Sequence, residues 1–256
     1  MNNSTVKKGK LIGASLGPGD PALITRKAWD ALHSNAVWTY PIRKKGSDSY
    51  ALGIATRAGL ALPEDALPLI FPMTHDKEKL ARYWLEGATI VLNLLNAGRD
   101  VVFLVEGDAS TYSTFGHLAR TLRGLDETAN IETIPGVPAY NAACATVAQP
   151  LADVDGTVAI VPAAYGVNFV DGLLADFDTL VLMKVKPLLD DIIDLLEQRN
   201  LLQHSVFIEK SGAPEERIIT DITRLRGQKV NYLSLMLVKN PHRVRGEIQK
   251  GCRKKA

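Results

Sequence analysis

The stretch "DVVFLVEGD", Asp100 to Asp108, holds five consecutive apolar residues, Val101 to Val105, between charged ends. A half-exposed strand alternates apolar and polar residues, and a surface helix spaces its apolar residues by three and four. An unbroken apolar run this short fits neither. It fits a strand covered on both faces, the condition of a parallel sheet layered between helices. Parallel neighbours need a crossover connection, usually a helix, between successive strands, so the flanking sequence has to supply helices.

It does. "KLIGASLG" predicts a first strand, "PALITRKAWDALHSNA" a helix after it, "AVWTYP" a second strand, and the residues near Ser49 to Leu60 a second helix. A short "LPLIFP" segment precedes a long helical pattern over Asp76 to Gly98, where Leu80, Tyr83, Trp84, Ala88, Val91 and Leu95 recur at spacings of three and four. The doubly apolar strand follows, then a helix from Thr111, the strand "IETIPG", and a helix of small residues from Ala139 to Val147. This alternation predicts an α/β fold with a mainly parallel sheet. After "AQPLADVDG" the pattern restarts, with strand candidates "TVAIVP", "TLVLMKV", "HSVFIEK" and "YLSLMLV", a shorter "RIITDI", and helices near Phe169 to Asp176 and Leu188 to Asn200. The polar Pro150 to Gly156 stretch therefore separates an N-terminal domain, 1–150, from a C-terminal domain, 151–256, in a chain of 256 residues that is long enough for two cores. Ligands favour the cleft between two such domains.

The balance of 30 basic and 28 acidic residues, a net charge of +2, gives no reason to expect a nucleic-acid partner. It leaves room for a local basic patch that recruits an anionic substrate. Two cysteines, Cys144 and Cys252, make no disulfide framework, and Cys144 in the small-residue run Ala142 to Ala145 reads as a buried helix residue. The basic run Lys250 to Lys255 reads as a solvated terminus. "MNNSTVKKGK" leads into no signal-like apolar region and no run reaches the length of a membrane span, so the expectation is a soluble, cytoplasmic protein without a membrane partner. The five histidines, at 33, 75, 117, 204 and 242, show no metal-ligand spacing, so no protein-held metal is expected.

Three glycine turns follow predicted strands. The first, "LGPGDPALIT", satisfies the letter of a dinucleotide fingerprint through Gly17, Gly19 and Ala22. That fingerprint works by resting a pyrophosphate on a helix N-terminus. Here Asp20 would repel it and Pro21 removes one N–H, while both suit a helix start as cap and first residue. The second strand ends in Tyr40-Pro41-Ile42-Arg43, without the acid that would hold a ribose. A nicotinamide site is therefore disfavoured. The second turn, "VEGDASTYSTFG", sets Glu106, Gly107 and Asp108 at the carboxyl end of the buried strand, where ligands of open α/β sheets bind. The third, "IPGVPAYNAACA", places Gly136 between Pro135 and Pro138 before the small-residue helix. Three turns converge on one sheet edge, with no P-loop lysine.

As a set, "GASLGPGDPALIT", "GRDVVFLVEGDASTYSTF" and "IETIPGVPAYNAACA" resemble the tetrapyrrole (class III) methylases, S-adenosylmethionine-dependent enzymes of cobalamin and sirohaem synthesis, over essentially the whole chain. Within that family, "AVWTYPIRKKGSDSYA" and "FPMTHDKEKLARYW" look like the methylases that act at C20 of precorrin-2 or cobalt-factor II. The features are Tyr40-Pro41 before a basic loop, Ser49 opening the next helix, and Pro72-Met73-Thr74 before the long helix. The resemblance implies two α/β domains with the active site in a trough between them, usually in a homodimer. It implies that Pro18 flanks the floor near the methyl donor, that Glu106, Gly107, Asp108 and Thr111 line the donor, and that Pro138 and Ala139 contact it. Met183, Ser211 and Gly212 would approach the adenosine, with a backbone contact from Leu235. Ala109 departs from the family pattern, which commonly has proline after Gly-Asp.

The meso carbon of a reduced tetrapyrrole is electron-rich enough to attack a sulfonium methyl directly, so catalysis is chiefly alignment and exclusion of water. A base is needed only for the proton lost from the methylated carbon, and Glu106, Asp108, Tyr112 and Tyr40 are the candidates. Such a substrate carries many carboxylates. Arg43, Lys44 and Lys45 offer a cationic rim, with Tyr40, Pro41 and Ser49 beside it. Any cobalt would arrive with the substrate. A sister methylase acting at another ring position remains the alternative.

Overall fold

The computed structural model of the chain describes residues 7–246, so the Lys250 to Lys255 run and Cys252 lie outside the described residues. The chain divides into two compact units. The first runs to Ala142 and takes back Gly212–Glu215, and the second holds Ala143–Ser211 and resumes at Glu216.

In the first unit β1 (Lys10–Ser15), α1 (Arg26–Leu32), β2 (Val37–Ile42), α2 (Tyr50–Arg57), β3 (Leu67–Ile70), α3 (Lys77–Asn96), β4 (Val101–Val105), α4 (Phe115–Leu125) and β5 (Asn130–Ile134) alternate without interruption, and α5 (Ala139–Thr146) leads onward. The five strands form one parallel sheet in the order β3-β2-β4-β1-β5. The doubly apolar strand β4 sits at its centre, and all five of its residues are buried. Its side chains alternate between two cores, as the strand period requires. Val101, Phe103 and Val105 pack with α3 and α4 residues Val91, Leu95, Leu118 and Leu122. Val102 and Leu104 pack with Ala28, Leu32, Ile54 and Ala55 of α1 and α2. Two helices therefore cover each face.

Two helix starts differ from the sequence reading. The predicted helix over Pro21 to Ala36 is two pieces. Asp20 caps a short 3₁₀ turn, Pro21–Leu23, through Ala22 N–H, then Ile24 turns extended and Thr25 caps α1 through Ala28 N–H. A second residue able to cap, Thr25, five residues after Asp20, restarts the helix. The helix expected from Thr111 begins at Phe115, because Tyr112 has a φ of 50° and breaks the helical path.

The second unit comprises β6 (Val158–Pro162), α6 (Val167–Leu173), β7 (Thr179–Met183), α7 (Leu189–Gln198), β8 (Ser205–Glu209), β9 (Arg217–Ile219) and β10 (Ser234–Lys239). Its sheet order is β6-β7-β10-β8-β9, and only β6 and β7 run parallel. The apolar runs are as read, but the restart is not another parallel sheet. Between β8 and β10 the chain holds only β9 and a short 3₁₀ turn at Ile222–Leu225, with no α-helix, so it lacks the crossover that parallel pairing needs. Asp178 fastens the edge of this unit, accepting from Thr157 N–H at 2.8 Å, Arg243 at 2.6 Å and Arg245 at 2.8 Å. Among the described residues no helix is long and apolar enough to cross a membrane.

Phe103 is fully buried, edge-on to Phe71 at 5.7 Å between ring centroids and 6.1 Å from Phe115. Replacing it with alanine is expected to remove about 3–5 kcal/mol from the first unit, read as a lowered urea midpoint with a near-unchanged slope.

Candidate active site

All five strand ends of the parallel sheet point the same way, so the loops after β3, β2, β4, β1 and β5 line one edge in that order. The three glycine turns are the last three of the row, and hydrogen bonds join them. Gly17 N–H donates to Gly107 O at 3.2 Å and Gly107 N–H returns a bond to Gly17 O at 2.8 Å, an isolated antiparallel bridge that joins the two turns just beyond the parallel β1–β4 ladder. Both glycines have positive φ, 75° and 71°. The third turn joins through Asp108, whose Oδ2 accepts Gly136 N–H at 2.7 Å. Ser15, fully buried at the end of β1, donates to Ile134 O at 2.6 Å and accepts Ala109 N–H at 2.8 Å. A Cβ on Gly136 would lie 2.4 Å from Ser15 Cβ and 2.8 Å from Gly107 O, so only glycine allows this approach. Pro18 is buried between Gly17 and Gly19, and Arg57 of α2 braces that turn by donating to Gly19 O at 2.9 Å. Gly212, with a φ of 74°, closes on the same turn, and a Cβ there would stand 3.0 Å from Asp20 N. Pro138 and Ala139 are half-buried at the start of α5.

The acids in the second turn differ sharply. Burial pushes the Asp108 carboxyl up, but donors from Ser110, Gly136 and Thr111 outweigh it and hold it below the usual carboxylate range. Its Oδ1 takes Ser110 N–H at 2.9 Å, the Ser110 hydroxyl and Thr111 Oγ1 at 3.4 Å. Asp108 is thus a staple between turns, poorly suited to accept a further proton. Thr111 serves the same knot. Glu106 has no such company. Burial pushes its carboxyl up to about 7, against the pull of Arg43. Tyr112 is half exposed at 51%, on the loop after the turn.

Glu106 stands at a fork in the sheet. The β2–β4 ladder stops at Thr39↔Phe103, whereas β1 and β4 pair to Ser15↔Val105 and β2 and β3 to Ile42↔Ile70. Ile42 O accepts Phe71 N–H at 2.8 Å and so faces β3. Strand alternation then turns the main chain of Pro41 toward β4, where proline has no N–H to give. Tyr40 and Pro41 line one tine, half-buried, and Arg43, Lys44 and Lys45 follow, exposed. Among the described residues none of these three cationic side chains has an ion-pair partner, although Lys8, Lys10, Lys27, Arg99 and Arg226 all do. Ser49 is buried and its hydroxyl caps α2 by accepting Leu52 N–H at 3.3 Å. That use explains its position without a ligand.

In the second unit Met183 and Leu235 are direct partners across β7 and β10, with Pro162 on the other side of Met183. Ser211 lies two residues beyond the end of β8, which pairs with the same end of β10. Sequence reading thus named three residues that one sheet edge assembles. The Ser211 hydroxyl is buried without a hydrogen-bond partner, which costs about 1–3 kcal/mol unless a ligand meets it. Ser15, Arg57 and the role of Pro41 were not foreseen. A serine inside the apolar run "LIGASL" was the one available signal for Ser15. No group of three or more histidines, cysteines, aspartates or glutamates among the described residues is placed to hold a metal.

Comparison with known proteins gives the same direction. Residues 10–226 match the family model of the tetrapyrrole (corrin/porphyrin) methylases. A precorrin-2 C(20)-methyltransferase from Sinorhizobium is 31% identical, covering 92% of this chain and 97% of its own. A cobalt-precorrin-2 C(20)-methyltransferase from Salmonella typhimurium is 32% identical over 90% and 96%. The uroporphyrin-III C-methyl transferase of Thermus thermophilus, solved with S-adenyl homocysteine, superposes with a TM-score of 0.60 at 22% identity, over 90% of this chain and 97% of that one. The fold and the family model agree on one conclusion, that this chain belongs to the tetrapyrrole methylases.

Proposed function

We propose that the chain transfers a methyl group from S-adenosylmethionine to C20 of a reduced tetrapyrrole, precorrin-2 or its cobalt complex, in cobalamin synthesis. The observation that carries this reading is end-to-end similarity above 30% identity to two enzymes named for that position. S-adenosylmethionine supplies an electrophilic sulfonium methyl. The residues present suit such a donor. Gly107 and Gly136 bring bare backbone to the sheet edge, as a close-lying ligand requires, and Ser211 holds a buried hydroxyl in want of a partner. On this reading Pro18, Glu106, Gly107, Thr111, Pro138 and Ala139 border the donor, and Met183, Ser211, Gly212 and Leu235 its adenosine. Asp108 shapes the wall without reacting.

A new carbon–carbon bond forms between C20 and the methyl carbon as the carbon–sulfur bond breaks, leaving a neutral thioether. The proton on C20 then departs and its electron pair returns to the macrocycle. Glu106 is the group suited to take that proton, since its proton affinity is matched to neutral pH. Arg43, Lys44 and Lys45 bind peripheral carboxylates, and Tyr40 and Pro41 meet the ring edge. The reading also includes a homodimer in the cytoplasm, with cobalt entering only as part of the substrate.

Mass spectrometry of the product after incubation with donor and either substrate form should show one added methyl. S-adenosylhomocysteine should raise the melting temperature while NADH does not. A product unchanged in mass with both forms would sink the C20 assignment. Arg43, Lys44 and Lys45 changed together to alanine should raise KM for the tetrapyrrole about tenfold with kcat little altered.

The pH dependence follows from Glu106. Its carboxyl binds a proton more tightly folded than unfolded, because the native value is about 7 against an ordinary 4.5. Its contribution to stability is full below the unfolded value and is lost as pH rises through about 7. Glu106→Gln should therefore gain stability on the parent in that window and be most ahead near pH 8. In activity, kcat/KM should rise through about pH 7 in the parent, and Glu106→Gln should lose that limb.

A further inference from the structure

The Ser15 side chain joins the second and third glycine turns from the end of the strand that leads into the first. It ends β1, two residues before Gly17 of the first turn, with Leu16 between them. Its hydroxyl accepts the amide of Ala109 in the second turn at 2.8 Å and donates to the carbonyl of Ile134 at 2.6 Å, where β5 enters the third turn. Its Cβ occupies the space that a side chain on Gly136 would need. These partners are 94 and 119 residues away in sequence. Both bonds are non-local in sequence, one to the paired strand β5 and one to the turn after β4. Ser15 is also fully buried, so it reaches no ligand directly.

We infer that Ser15 is a positioning residue for the methyl donor, holding the Gly107 and Gly136 backbones at the separation that the donor requires. Asp108 ties the second turn to the third through Gly136 N–H, and the Gly17–Gly107 bridge ties the first to the second. Either tie alone leaves a turn that can pivot. The Ser15 hydroxyl adds the third point of attachment, on Ala109, next to Asp108 in the chain. Loss of the hydroxyl leaves a buried amide unpaired, since Ala109 is only 4% exposed, and the turn then moves to find water. Sites held by supporting hydrogen bonds lose binding when that support loosens by a fraction of an ångström.

The inference rests on the donor reading of this edge, and the experiment separates the two. S-adenosylhomocysteine affinity is measured by calorimetry for the parent, Ser15→Ala and Ser15→Cys, well below their melting temperatures. The expected result is a dissociation constant raised on the order of tenfold in Ser15→Ala and less in Ser15→Cys, whose thiol is a weaker partner. KM for S-adenosylmethionine should rise in parallel, and KM for the tetrapyrrole should stay within about twofold. A variant that melts earlier but binds S-adenosylhomocysteine as the parent does would overturn the inference, because a purely structural serine predicts that outcome. Should Ser15→Ala not fold, the same comparison is made on Ser15→Cys. If the parent itself fails to bind S-adenosylhomocysteine, the donor reading falls, not the placement of Ser15 among the turns.

Discussion

The reciprocal hydrogen bonds between Gly17 and Gly107 are the constraint on which the site depends. They clamp the two loops together with an antiparallel bridge two residues past the last pair of the central parallel ladder, Ser15 and Val105, where the loops would otherwise diverge. Positive φ at both positions makes the bridge a glycine property. With the two turns fixed, Asp108 can reach Gly136, and Gly136 can lie against Ser15 only because it has no side chain. A rigid surface of backbone amides and carbonyls results. Such a surface suits a reaction whose main demand is alignment, because the chemistry belongs to an electron-rich carbon and an activated methyl.

Much of this was legible in the chain, for identifiable reasons. Val101 to Val105 announced a central strand because five apolar residues in a row have no other short solution. Asp76 and Ser49 marked helix starts because their side chains accept the orphan amides there. The Asp20-Pro21 pair argued correctly for a cap. Less legible was anything set by pairing across the sequence. The antiparallel course of β10 between β7 and β8 depends on missing crossover helices, which apolar runs alone do not count. The late start of α4 came from Tyr112 adopting a left-handed conformation, which no residue pattern enforces. In the site, Asp108 stood out as an acid after the central strand, yet its hydrogen bonds make it a structural staple, and it is Glu106, two residues before it, whose carboxyl burial pushes up.

Pro41 illustrates how one residue links local covalent chemistry to electrostatics. Lacking an N–H, it ends the β2–β4 ladder at Thr39 and opens a fork on the carboxyl edge. Glu106 sits at that opening, buried enough to favour its protonated form and near enough to Arg43 to feel a cation. Among the described residues Arg43, Lys44 and Lys45 form no ion pair, and Arg43 acts on Glu106 only at longer range. A carboxylate-rich substrate would meet positive charge at the fork's rim and a weakly acidic group within it. The sheet's hydrogen-bond count thus sets where charge can stand unpaired.

The proposed reaction delivers one methyl group to one carbon of one macrocycle. The most direct measurement is carbon NMR of the product formed from S-adenosylmethionine labelled with carbon-13 in its methyl group. The expected result is a single labelled methyl bonded to C20, with S-adenosylhomocysteine released in equal amount. Label on any other ring carbon, or on a peripheral carboxylate, would contradict it.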